Sequence, residues 1–485
     1  MKRVHPFASL LCIWALAGVL GSTVMARGEN GTYPGILKTI DVAPAWSVHR
    51  IGSPMLLTRD GYQYVAYYDH DRFLTLAQRQ LGSDQWTFKR FPVQMGWATG
   101  GHARLSLALD RDGCIHITSY RRQLLQGPPS PPAAIYYRSK EPHSMEAFEW
   151  LHMTNKNKLP HYPTFYRVGD TLLFAYRVGS SGRGDQRINR YDEENRRWEQ
   201  ALETNLLDGR GRMNAYVFAN GPIGGPDGRL HLLWVWRNTG CHSTNHSLSY
   251  ARTVGSDLNQ WETADGVPVS PPFTSAQREL VVDPTPPRGG LSNAFQTMAW
   301  DSKDRLVISF HKFDDDGFSQ IYNTRFIDGA WRTVPATRWN FVWGNAYYGY
   351  GAIGPFEYLR MSRVEPTGNG KLKQQVWNRD AGATTIILDE ETLEPIRWEA
   401  PESDPAWRQA VSQPESDFQV PAIPNLRRFG GPMQVVLIAD LDGSDVKGAN
   451  YYLRWEHAGT NNDQAIPKPW PDPIVLRVYK IENEQ

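Results

Sequence analysis

Cysteine is scarce and net charge is almost absent. The chain of 485 residues holds three cysteines, Cys12, Cys114 and Cys241. Cys12 falls in an N-terminal leader, so two remain, too few for a disulfide framework. Cys114 reads as a small core residue in a strand, and a single Cys114–Cys241 bridge stays open. Lys and Arg together number 52 against 51 Asp and Glu, a net charge of +1. That balance argues against a broad nucleic-acid or membrane footprint. After residue 26 no apolar run has the length of a membrane span. Long helical periodicity is rare too, and no Asp/Glu pair of the glycosidase kind can be picked out. The acidic run Asp314-Asp-Asp-Gly317 lacks the alternating ligand spacing of an EF-hand loop. It reads as a hairpin turn, with a structural calcium as the alternative. No catalytic metal or cofactor is expected.

What is present is a repeat. Six tryptophans, Trp86, Trp150, Trp198, Trp261, Trp331 and Trp398, each close a short polar segment. Between them recurs a turn rich in Asp and Gly that leads into an alternating apolar run. Asp110-Arg-Asp-Gly113 precedes Cys-Ile-His-Ile-Thr, Pro226-Asp-Gly228 precedes Arg-Leu-His-Leu-Leu-Trp, and Asp301-Ser-Lys-Asp304 precedes Arg-Leu-Val-Ile-Ser-Phe-His311. A period of roughly 50–70 residues fits one four-stranded antiparallel sheet per repeat. The fold class is therefore all-β, a seven-bladed β-propeller of four-stranded blades over residues 27–485. Alternation predicts strands at Tyr62–Tyr68, Thr171–Tyr176, Thr384–Leu388, Asn450–Glu456 and Ile474–Tyr479. Strands from the two termini are expected to share one blade. Lys2 and Arg3, the apolar stretch from Phe7 to Val24, and the small residues near Ala26 read as a signal peptide over residues 1–26. The expected location is secreted or periplasmic.

Polar residues gather where strands end. They are His102, Arg122, Tyr162, Arg177 beside Gly179-Ser-Ser-Gly-Arg-Gly184, Asn214, Tyr216, Arg237, His246 and His311. Singly, a strand-end arginine reads as a salt-bridge partner and a lone Tyr or His as a satisfied core residue. Together they suggest a cationic pocket. A guanidinium fork holds a carboxylate in two parallel hydrogen bonds. If that carboxylate belongs to a uronic acid, the neighbouring C5 proton becomes acidic and a Tyr or His can remove it. His49, with Arg50 beside it, is a second candidate near the first repeat.

The ordered set of segments resembles the BNR-repeat propellers that include ulvan lyases and a rhamnosidase acting on rhamnose–glucuronic acid caps. Gln63-Tyr-Val-Ala-Tyr-Tyr-Asp69, His161-Tyr-Pro163, Phe174–Gly182, Met213-Asn-Ala-Tyr216, Leu232–Arg237, Asn245–Ala251, Ser309–Asp314 and Leu453-Arg-Trp-Glu456 carry the resemblance. It implies activity on acidic, rhamnose-containing glycans. In the lyase branch, His102, Tyr162 and Arg177 match the catalytic face, while Arg122 stands where a second histidine is usual and Ala103 where Asn is usual. Arg122 can bind a carboxylate but cannot serve as a base, because its pKa is too high. In the rhamnosidase branch His49 matches the key histidine, with Arg50 placed to bind the glucuronate. The favoured expectation is an exo-acting alpha-L-rhamnosidase, a glycoside hydrolase, acting through His49. The alternatives are a polysaccharide lyase acting through Tyr162, His102 and Arg177, and a non-catalytic glycan-binding propeller. Arg50, Arg122, Asn214, Tyr216, Arg237, His246 and His311 are the expected substrate contacts. The expected partner is an acidic, rhamnose-containing polysaccharide or oligosaccharide bound by a monomer.

Overall fold

Strands account for nearly all regular structure, because the sequence alternates polar and apolar residues with period two. The computed structural model describes residues 33–98, 104–119, 124–126, 135–153, 160–293, 295–343, 358–423, 426, 429–443 and 446–483. Among them the only α-helix is Ala406–Val411. No helix of the described residues is long and apolar enough to cross a membrane. The leader over residues 1–26, His102 and Arg122 lie outside the described residues.

The strands form antiparallel sheets of the propeller-blade type. Contacts divide the described residues into two compact units, one within residues 175–189 and 200–403, the other within residues 33–174, 190–199 and 404–483. Six sheets lie wholly inside one unit, three in each, and the sheet spanning His161–Gln200 is divided between the two. The all-β propeller class holds; the expectation that every blade has four strands is corrected. The sheets hold from four to seven strands, because short segments such as Leu124–Gln126, Pro268–Val269 and Val281–Asp283 add themselves to edges. In the second unit Ile36–Ala45 pairs antiparallel with Ile474–Glu482, so strands near the two ends of the chain share one sheet. The strands predicted at Tyr62–Tyr68, Thr171–Tyr176, Thr384–Leu388, Asn450–Glu456 and Ile474–Tyr479 are present, all but the first within longer strands, Thr171–Ser180, Gly382–Asp389, Ala449–Gly459 and Ile474–Glu482.

The two sequence beats have one physical origin. In the sheet of Leu105–Leu109 and Ile115–Ser119, the turn residue Asp110 and the strand residue His116 are both buried. His116 Nε2–H donates to Asp110 at 3.2 Å, and Tyr136 Oη donates to His116 Nδ1 at 2.8 Å. The same chain recurs in the first unit. There His231 Nε2–H donates to Asp227 at 3.0 Å and Tyr250 Oη donates to Nδ1 at 2.6 Å. Burial pulls His116 towards its neutral form. Burial also works to raise Asp227, but its hydrogen bond from His231 outweighs that and lowers it to about 2. A tryptophan from the following repeat covers each chain. Trp198 lies 6.0 Å from His116 and 6.3 Å from Tyr136, and Trp331 packs edge-on at 5.7 Å from Tyr250. In the third repeat the imidazole is absent. Asp301 instead accepts from Arg305 and Arg325, each at 2.7 Å, and Trp398 is half exposed.

Both cysteines are buried thiols rather than a bridge. Asp314 is a turn residue, as expected: its carboxylate accepts from the N–H groups of Asp316 and Phe318 and from Gln320 Nε2. Among the described residues no group of three or more His, Cys, Asp and Glu is placed to hold a metal ion.

Tyr136→Phe and Tyr250→Phe keep the ring but leave a buried imidazole nitrogen without its donor. Each is expected to lower the unfolding free energy by about 1–3 kcal/mol in denaturant titrations. A change within about 0.5 kcal/mol, as for an ordinary surface substitution, contradicts this reading.

Candidate functional site

The first unit brings together four of the residues expected from sequence: Arg177, Asn214, Tyr216 and Arg237. Strand pairing does the alignment. Asn214 opens the strand Asn214–Val217 and faces Arg237, the last residue of Leu230–Arg237; Arg237 in turn faces Asn245, which opens the next strand. Arg177 comes from Thr171–Ser180, whose hairpin tip is Ser181-Gly182. Asn214 Oδ1 accepts from the Gly182 N–H and docks that tip against the sheet. Gly182 has φ 78°, and a Cβ there would lie 2.5 Å from the Thr239 backbone. Only glycine fits this turn without a shift.

Tyr216 sits between two cations. The Arg177 guanidinium lies 5.5 Å from its ring centroid and that of Arg237 lies 5.1 Å away. Its hydroxyl is 2.8 Å from Ser181 Oγ. Arg177 and Arg237 are buried, 5% and 4% exposed, whereas Tyr216 is half-buried. Burial alone pushes a phenol up. Here Arg237, Arg177 and hydrogen bonds from Ser181 and Arg177 outweigh it and hold Tyr216 below its ordinary value of 10.0. Most other buried tyrosines move the opposite way: Tyr64 and Tyr250 are pushed well up, chiefly by burial. Arg237 bonds to main-chain carbonyls, donating through Nε to Cys241 O at 3.0 Å and through Nη2 to Gly240 O. The cluster can therefore stabilise an anion beside an acidified phenol.

Other polar residues lie in the same unit. Gln296 Nε2 donates to Tyr216 O at 3.0 Å, and Asn245 Nδ2 donates to Asn293 Oδ1 at 3.0 Å. His242 is lowered to about 4 by burial and then by Arg237. His246 bonds to Asn238 Oδ1 at 2.9 Å and lies below its ordinary range through burial and Arg278. His311 is fully buried, bonds to Gly290 O at 2.8 Å and is pushed to about 4 by burial. Ser181 and His242 were not singled out from sequence. For Ser181 the signal was the glycine-rich hairpin itself.

His49 sits in the second unit and is fully buried. Trp46 Nε1–H donates to its Nδ1 at 2.9 Å, and its Nε2–H donates to Ala98 O at 3.3 Å. Trp97 lies 5.4 Å from the ring. Burial, with a further contribution from Arg72, lowers it to about 3. Both nitrogens are engaged and the ring is neutral, so this histidine fastens Trp46 to Ala98 and presents no atom for proton transfer. The charges acting on it are those of Arg72, which lowers it, and Asp463, which raises it, whereas Arg50 acts on His457. Tyr162, also in the second unit, is half-buried and opens its strand at φ 55°. That left-handed conformation costs about 1–3 kcal/mol and is shared with turn residues such as Asp60 and Asp328.

The blades and this site define an all-β repeat protein. A model of BNR repeat-containing family members matches residues 62–339, more than half of the chain, and the chain belongs to that family. Its fold is similar to that of an ulvan lyase from a new family of polysaccharide lyases, with TM-score 0.52 and 14% identity over 92% of this chain and 95% of that one. An ulvan lyase structure bound to -[GlcA(1-4)Rha3S]- is equally similar, at TM-score 0.52, 14% identity, and 92% and 95% coverage. No curated protein matches the chain by sequence.

The buried histidines set an acid limit on stability. His49 has a folded value of about 3 against 6.5 unfolded. Between those values the unfolded chain binds a proton that the folded chain does not. Stability is therefore full above pH 6.5 and falls as pH drops towards 3, with a slope from His49 of about 1.4 kcal/mol per pH unit. His311 adds to the slope down to about pH 4. In urea titrations from pH 7 to 4, His49→Gln is expected to be less stable at pH 7 and to lose about one proton's worth of slope. An unchanged slope contradicts the assignment.

Proposed function

We propose that this protein is a carbohydrate-active enzyme that cleaves an acidic glycan at a uronate residue by β-elimination. The observation that carries the reading is Tyr216, held below its ordinary pKa between Arg177 and Arg237. The two guanidinium groups take the uronate carboxylate and draw charge from it, which acidifies the C5 proton. Tyr216 in its phenolate form removes that proton. The electron pair forms a C4–C5 double bond as the C4–O4 bond breaks. The proton taken from C5 is the one the departing O4 requires, so the step balances within one side chain. Ser181, at 2.8 Å, orients the Tyr216 hydroxyl.

The fold shared with ulvan lyase supports this reading, and a chain of glucuronate and rhamnose is the substrate class that follows from it. Hydrolysis through His49 draws no support from the geometry, since the ring is buried with both nitrogens bonded. A monomer that acts outside the cytoplasm, exported through the leader over residues 1–26, is part of the same proposal.

The test is the full-length protein on ulvan. The expected product carries a C4–C5 double bond and absorbs in the near ultraviolet. Tyr216→Phe is expected to lower kcat/KM roughly 10²–10⁴-fold. Arg237→Ala is expected to raise KM and lower kcat together. Free rhamnose released without ultraviolet absorbance contradicts elimination.

A further inference from the structure

We propose a second saccharide-binding site, in the other compact unit, that takes one uronate residue of a glycan chain. It is a polar cavity of about 330 Å³ on the sheet of Met55–Arg59, Tyr62–Tyr68, Phe73–Gln80 and Thr87–Met95. That volume is at the low end of small-molecule sites, which run from roughly 300 to 1,000 Å³, and it suits one sugar residue. The proposal rests on the acidic-glycan reading above.

Three features of the lining point to a sugar. The first is an aromatic wall: the rings of Tyr62 and His143 stack at 4.8 Å with an interplanar angle of 12°. Such a flat, half-buried face suits the C–H side of a pyranose. The wall is held rigidly. Tyr64 Oη bonds to His143 Nδ1 at 2.8 Å, and Gln78 Nε2 donates to His143 O at 2.6 Å. His143 adopts φ 50° to make this fit, a conformation that persists only where the surroundings impose it.

The second feature is the amide set. Gln78, Gln80 and Gln85 line the cavity, and each amide both donates and accepts, as ring hydroxyls require. The third is Arg79, the only permanently charged residue of the lining. It is 3% exposed. Nε donates to Gln63 Oε1 at 3.0 Å and Nη1 to Ser83 O at 2.6 Å. Its Nη2 is buried with no hydrogen-bond partner among the described residues. Tyr451 and Asp84 also act on the Arg79 guanidinium, and Asp60 lies 4.0 Å from His143; within the lining itself Arg79 is the one permanent charge, and a buried cation there favours a carboxylated sugar over a neutral one. A smaller cavity of about 150 Å³, lined by Phe418, Ile466, Lys468, Trp470 and neighbouring prolines, is mainly apolar and lacks the amide set.

The experiment counts sites with sodium glucuronate as the probe, using calorimetry and saturation-transfer NMR on the full-length protein, with glucose as the neutral control. The wild type is expected to bind two glucuronates, and Arg237→Ala is expected to keep one. Tyr62→Ala removes the other, with at least a tenfold loss of affinity at that site. Gln80 is exposed, so Gln80→Ala leaves the fold intact and is expected to weaken the same site at least threefold. Unchanged site counts and affinities in both the Tyr62 and Gln80 variants overturn this site while leaving elimination at Tyr216 untouched. Glucose binding as tightly as glucuronate overturns the uronate assignment. Absence of turnover on ulvan, with a glucuronate site that still depends on Tyr62, sinks the proposed reaction and retains the cavity.

Discussion

A polar group removed from water must find its partner inside the protein, and this constraint organises the repeats. A turn aspartate reaches a strand histidine, the histidine accepts from a tyrosine on a neighbouring strand, and a tryptophan from the next repeat keeps the chain dry. Each member fixes the next. The imidazole must carry its proton on Nε2, because the carboxylate accepts there and the tyrosine donates to Nδ1. Where the histidine is replaced, as at Asp301, an ion pair with Arg325 takes over, and the following tryptophan is free to face solvent.

The same constraint distinguishes His49 from Tyr216. His49 obeys it completely, with two hydrogen bonds and no solvent. Tyr216 is different. It is accessible, its neighbours are cations, and Arg237 gives Nε and Nη2 to main-chain carbonyls, which leave its positive charge in place. Positive charge thus collects where a phenol can meet solvent, which is what an anionic substrate needs.

Much of this was legible in the sequence, for identifiable reasons. The Asp–Gly turns and the tryptophans recur because they are parts of one hydrogen-bonded unit, so the repeat and the all-β class could be read directly. Arg177, Asn214, Tyr216 and Arg237 could be grouped because each ends or opens an alternating run, and strand register brings such positions into one row. Their relative roles were not legible. Tyr162 drew attention by its motif, while the lowered hydroxyl of Tyr216 depends on two guanidinium distances that no spacing reveals. The burial of His49 was not legible either, because a histidine beside an arginine looks like an exposed polar pair. Its burial depends on Trp97 and Ala98, nearly fifty residues away. The strand count of four in every blade was not kept, since edge additions such as Leu124–Gln126 follow from loop paths rather than from periodicity.

The central claim is that two guanidinium groups acidify one phenol. It is tested most directly by ¹³C NMR titration of ring-labelled tyrosine in the full-length protein, with the Tyr216 signal assigned by its loss in Tyr216→Phe. Tyr216 is expected to ionise below 10.0, and its midpoint to rise in Arg237→Ala. A midpoint at or above 10.0, unmoved by that substitution, contradicts the account.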